Sequence, residues 1–138
     1  MLALLLCAAA ALAADFAALK PQGYVSDFAG VIDPASRAQL ERYCANLERV
    51  TGAELALVTL PSLQDEPIED VANALFRAWG IGKKGENNGV LLLLSIGDRR
   101  SRLEVGYGLE PIITDGTAGS LLRAMAPDLR AGRYGPAL

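Results

Sequence analysis

The chain of 138 residues contains no histidine. That excludes a Ser-His-Asp or Cys-His nucleophile and any His-ligated zinc or haem site built from this chain. Cysteine is nearly absent as well, with Cys7 and Cys44 alone. If the N-terminus is removed, Cys44 is left single, and no internal disulfide, Cys-rich zinc site or iron–sulfur cluster can form. Any metal is then a hard cation held by oxygens. A basic surplus is also missing: 13 Lys and Arg face 16 Asp and Glu, for a net charge of −3. Phosphate neutralisation needs a basic surface, so nucleic acid is not the expected partner.

Long apolar runs are confined to one place. Residues 1–13, MLALLLCAAAALA, are apolar throughout. They fall short of the roughly 20 residues a membrane-spanning helix needs. They fit the apolar region of a secretory signal peptide, with Ala11 and Ala13 flanking Leu12 as a small-x-small pattern for cleavage before Ala14. Leu6, where a lipoprotein signal wants a small residue before Cys7, argues against lipidation. The expected location is exported: periplasmic, or at the extracytoplasmic membrane face. The whole chain is 51% apolar. Setting the first 13 residues aside leaves about 46%, ordinary globular composition for one domain.

Residues 14–33 read as an irregular leading segment punctuated by Pro21, Gly23 and Gly30. The stretch from Tyr24 to Asp33 alternates too loosely to read as a strand. Asp33-Pro34 starts a helix, with Asp33 as N-cap. Leu40, Tyr43, Cys44, Leu47 and Val50 follow at helical spacing, and Gly52 closes it. Glu54–Leu60 reads as an apolar strand ended by Pro61. Pro67 opens a second helix with Ile68, Val71, Ala72, Leu75, Phe76 and Trp79 on one stripe. Val90–Ile96 is apolar on both faces, as a covered central strand is. After the turn Gly97–Arg100, Arg102–Gly106 returns antiparallel. Thr114 or Asp115 caps a third helix, which Pro127 breaks or kinks. A helix joins the first two of these strands, so they run parallel. The fold class is α/β, a sandwich with helices on both faces of a small mixed sheet.

Gly80-Ile81-Gly82-Lys83-Lys84-Gly85 matches G-x-G-x-x-G, but it follows a helix and precedes a strand. A dinucleotide site needs the reverse order, so the loop reads as a connection. Cys44 sits on an apolar stripe and reads as a buried small hydrophobe. Arg99, Arg100 and Arg102 cluster at the hairpin, where a solvated turn outweighs a phosphate site. Among the acids, Asp33 is a cap. The returning strand brings Glu110, and Asp115 beyond it, to the sheet end where Asn87–Gly89 enters, with Asp98 at the opposite end. Glu110 with Asp115 is the pair whose oxygens can share a cation.

Four segments, Tyr24–Ile32, Glu86–Leu94, Arg102–Glu110 and Thr114-Asp115, strongly resemble the TPM domain family over residues 22–138. The resemblance implies a three-layer α/β/α sandwich on a mixed, mostly parallel sheet of about four strands, outside the cytoplasm. It also implies a domain truncated at its C-terminal helix, with a membrane tether in the missing C-terminal residues and one sheet face partly uncovered. Asp27, Glu110 and Asp115 match the family's acidic positions and are carried over as metal candidates. The cofactor so implied is a divalent cation of the calcium type. The expected function is an exported binding or assembly module for membrane-protein complexes, whose partner is an envelope protein, with Gly82–Gly89 as one candidate surface. The alternative is a divalent-metal-dependent acid phosphatase, in which Arg99, Arg100 or Lys83 would hold the phosphate. No residue stands in a motif for nucleophile or general acid, so catalytic residues are not assigned.

Overall fold

The structure is a computed structural model that describes residues 15–138. The signal peptide expected at residues 1–13, with Cys7, lies outside the described residues.

Four strands form one sheet in chain order: β1 (Val25–Asp27), β2 (Glu54–Leu60), β3 (Gly89–Ser95) and β4 (Arg100–Val105). The first three are parallel and β4 is antiparallel to β3. Helix α1 (Pro34–Thr51) crosses from β1 to β2, and α2 (Ile68–Ala78) from β2 to β3. Helix α3 (Asp115–Arg130) and the short α4 (Tyr134–Ala137) complete the chain. The expected α/β sandwich on a mostly parallel sheet is therefore present.

The helices start where local chemistry dictates. Asp33 caps α1, its Oδ2 accepting the Ser36 N–H at 2.9 Å, with Pro34 at the first position. Gly52 ends it in the left-handed region, φ 77°. Of the two capping candidates for α3, Thr114 is the cap and Asp115 the first helical residue.

Strand alternation divides the core. Leu91 and Leu93 of β3, with Ala56, Val58 and Leu60 of β2, meet Val71, Ala72 and Leu75 of α2. Phe16 and Trp79 close that layer, and the Trp79 Nε1–H donates to the Leu19 carbonyl at 2.8 Å. On the other face Val25, Leu57 and Leu92 meet Cys44 of α1, with Leu122 and Met125 of α3 half-buried beside them. Every residue of β3 is buried, as expected for a strand covered on both faces. None of the residues of α3 is fully buried.

Two local expectations need correction. The segment Val25–Asp27 is a strand despite its weak alternation, because its neighbours and not its pattern hold it. Its inner groups pair with β2, and its outer ones are met by side chains. Glu41 accepts the Val25 N–H at 2.8 Å, Arg37 donates to the Val25 carbonyl at 2.9 Å, and Gln22 accepts the Asp27 N–H at 3.0 Å. Pro127 does not break α3, which runs on to Arg130. It falls in the last turn, where the missing N–H costs the Arg123 carbonyl one bond that water can replace on an exposed helix.

Candidate binding site at the open edge of the sheet

The two edges of the sheet are treated differently. The β1 edge is closed by Arg37, Glu41 and Gln22. At the other edge, Gly106 N–H donates to the Gly89 carbonyl at 2.7 Å, which fixes the antiparallel ladder between β4 and β3. By that register Arg100, Arg102 and Glu104 direct their backbone groups to β3, and Ser101, Leu103 and Val105 direct theirs outward. Among the described residues these outward N–H and C=O groups have no partner. Unpaired strand edges are templates for pairing with another chain.

A groove of about 810 Å³ runs along this edge. Ser101, Leu103 and Val105 line it, and Ala118 and Gly119 of α3 form one wall. Their small side chains keep α3 from filling the space. Four acids, Glu69, Glu104, Glu110 and Asp115, also line it. Glu104 is committed to Arg102, whose guanidinium lies 3.3 Å away. Glu110 and Asp115 are exposed and accept no hydrogen bond from a described residue.

Local packing fixes the position of Glu110. Gly108 N–H donates to the Asn87 carbonyl at 2.9 Å. At Gly106 and Gly108 the backbone runs so close to the Glu86 and Asn87 carbonyls that a Cβ at either position would collide with them. The chain then turns through Tyr107–Leu109, a single 3-10 turn, and delivers Glu110 to the groove. The loop Gly82–Gly89 is tied to itself and to the start of β2: Asn88 accepts the Lys83 N–H and donates to the Gly52 carbonyl, and Glu54 accepts the Gly82 N–H.

Asp27 stands elsewhere. Its partner in register is Thr59, at the carboxyl ends of the parallel strands. Val105 lies at the far end of the sheet, opposite Val90. The two levels are about 13 Å apart along the strands. Asp27 accepts the Thr59 hydroxyl at 2.6 Å, the Val31 N–H at 3.1 Å and the Ile32 N–H at 3.0 Å. Burial works to raise its pKa. The bonds from Thr59, Ile32 and Val31, with the charge of Arg37, outweigh that and hold it below the ordinary aspartate value. Asp98 has a similar local task at that end, accepting the Leu63 N–H at 2.8 Å and the Ser95 hydroxyl at 2.7 Å. Glu110 and Asp115 thus line the same groove, and Asp27 does not. Among the described residues no group of three or more Cys, Asp or Glu side chains converges as a metal cage. Glu110 and Asp115 present carboxylate oxygens to the groove, while the Thr114 hydroxyl is engaged as the cap of α3, accepting the Thr117 N–H.

Cys44 offers no accessible nucleophile. Cys44 is fully buried, and burial, with the nearby Glu41 charge, pushes its thiol up to about 11. It stays protonated and inert near neutrality.

A family model described as TPM domain matches residues 25–138. Among solved structures, the N-terminal domain of a protein from P. gingivalis, determined by solution NMR, is 34% identical. It superposes with a TM-score of 0.77, over 91% of this chain and 80% of that one. The N-terminal domain of cg2496 from Corynebacterium glutamicum is 16% identical, with a TM-score of 0.66 over 84% of this chain and 72% of that one. BA42 from the psychrophile Bizionia argentinensis is 15% identical, with a TM-score of 0.66 over 77% and 72% of the respective chains. These last two show the shared fold. Among curated proteins no match was found.

Proposed function

The chain belongs to the TPM domain family, and from that premise we propose that it is an exported binding module that engages a membrane-protein complex through the open edge of β4. One observation carries the reading: the outward N–H and C=O groups of Ser101, Leu103 and Val105 face a groove, while the other edge of the sheet is sealed by side chains. An extended segment of the partner adds as a fifth strand, its backbone bonding to β4. Its alternate side chains fall between Leu103 and the small residues of α3. Glu110 and Asp115 hold a divalent cation of the calcium type at the end of the groove. Its chemistry there is to neutralise the two carboxylates and order the turn into α3.

The test uses Ser101→Pro. The Ser101 N–H points outward, so proline leaves the ladder to β3 intact and removes an edge donor. Wild-type protein should retain a membrane protein from envelope extract that the folded Ser101→Pro variant does not. Equal recovery by both, or nothing above background with either, would remove the proposal. Turnover of p-nitrophenyl phosphate that is lost in Glu110→Gln/Asp115→Asn would favour the metal-dependent phosphatase instead.

A further inference from the structure

The two faces of the open strand β4 differ in chemistry. Residues paired across β3 and β4 share a face of the sheet. Arg102 pairs with Leu93 and Glu104 with Leu91, and those leucines pack with Val71 and Leu75 of α2. Leu103 pairs with Leu92 on the opposite face, where Leu122 of α3 packs against the same cluster. The ion pair of Arg102 and Glu104 therefore stands on the α2 face, and Leu103 on the α3 face. Val105, opposite Val90, falls on the α3 face as well.

The groove of about 810 Å³ takes residues from both faces, so it wraps around the edge of the strand. Its α3 side is uncharged where Leu103, Val105, Ala118 and Leu122 line it. From α2 comes Glu69, which joins neither of the two ion pairs among the described residues. Around the whole groove, the carboxylates of Glu69, Glu104, Glu110 and Asp115 against the one guanidinium of Arg102 leave a charge of −3. A strand laid along this edge alternates as β4 does, so its side chains fall by turns on the charged face and the apolar one.

Resting on the reading of β4 as a docking edge, we propose that the added strand is basic and apolar by turns. Lys or Arg at alternate positions lies on the α2 face, beside Glu69 and Glu104. Aliphatic residues between them lie on the α3 face, against Leu103 and Leu122. The groove reads the period as well as the charge. A strand with its cations grouped at one end sets ammonium groups on the apolar wall, and an acidic strand meets like charge. The open stretch Ser101–Val105 spans about 13 Å at about 3.3 Å per residue. About five partner residues thus carry the pattern, two or three of them basic.

The experiment is a fluorescence-anisotropy titration of the protein with four labelled, end-capped peptides of eight residues. One alternates lysine with valine, one glutamate with valine and one serine with valine. The fourth has four lysines followed by four valines. The buffer has low ionic strength and contains EDTA, which keeps Glu110 and Asp115 free of cations. The alternating lysine peptide should bind at least ~10-fold more tightly than each of the others. Ser101→Pro should weaken it at least ~10-fold, and Glu69→Lys/Glu104→Lys should make the glutamate peptide the preferred one. Glu69 is exposed, so Glu69→Lys alone keeps the fold and should narrow the preference for lysine. Lysine, serine and glutamate peptides that bind alike, and are all lost in Ser101→Pro, would overturn the pattern and leave the docking edge standing. Grouped lysines binding as tightly as alternating ones would overturn it by reducing the groove to an acidic patch. Binding unchanged in Ser101→Pro, or no binding of any peptide, would overturn the docking edge and the pattern with it.

Discussion

Asp27→Ala separates a carboxylate that holds the fold from one that holds a ligand. The side chain satisfies the Thr59 hydroxyl and the Val31 and Ile32 N–H groups. Thr59 is 1% exposed, so water cannot replace the lost acceptor there. A hydrogen bond to a charged group contributes about 1.5–3 kcal/mol net, and a stranded buried donor costs about 1–3 kcal/mol. Val31 is partly exposed, so water can recover part of the loss at its N–H, whereas Ile32 is buried. The expected total is about 2–4 kcal/mol. With an m-value of about 1.5 kcal/mol/M, the urea midpoint falls by about 1.3–2.7 M. Asp27→Asn retains an acceptor oxygen and should lose less.

The pH dependence supplies a second reading of the same residue. The folded-state pKa of Asp27 is depressed, so its contribution is fully present above the unfolded-state value near pH 4 and is lost as pH falls through the folded value. Wild-type stability should therefore decline toward that of Asp27→Asn below about pH 4. A midpoint for Asp27→Ala within 0.3 M of wild type (about 0.5 kcal/mol at that slope) would refute the reasoning. So would a variant that is stable without calcium and differs only in calcium binding.

Other outcomes follow from the same structure. Calcium at 100 times its dissociation constant should stabilise the folded state by about 2.7 kcal/mol. The corresponding rise in melting temperature should vanish in Glu110→Gln/Asp115→Asn and persist in Asp98→Asn. Cys44 should resist thiol reagents at pH 8 in the native protein and react once urea unfolds it; rapid native labelling would contradict its burial. Gly108→Ala places a methyl against the Glu86 and Asn87 carbonyls and should cost about 1–3 kcal/mol, measured by urea unfolding. Tyr24, whose hydroxyl donates to Glu48, has its pKa raised to about 12, chiefly by that bond. Its ultraviolet titration should lag that of a free tyrosine, and any stability it confers should fade only above about pH 10.

Much of the fold was legible because its local rules agree with one another. Asp33-Pro34 and Gly52 bracket α1, β2 spans the residues its apolar run marks, and the doubly apolar stretch became the covered β3. Pairing of β4 with β3 followed from the turn between them, and that pairing put the chain leading to Glu110 at the end of the sheet away from Asp98. What stayed hidden depends on distant partners. β1 is a strand because Arg37, Glu41 and Gln22 meet its outer groups, and no window around Val25 contains that information. The openness of the β4 edge depends on the order of the sheet and on where α3 lies. Glu69 joins the groove from α2 across a long sequence separation. Asp27 resembles Glu110 and Asp115 as an acidic motif position, yet topology sets it at the other end of the strands. Its charge is consumed by hydrogen bonds that only the folded chain creates.

The open β4 edge is the central claim, and site-specific photo-crosslinking in intact cells tests it most directly. A crosslinking residue would replace Ser101 on the open edge or Gln22 on the sealed one. The account predicts an adduct with a membrane protein from position 101, reduced when Val105→Pro removes another donor of the same edge, and none from position 22. Equal adducts from both positions, or none from position 101, would contradict it.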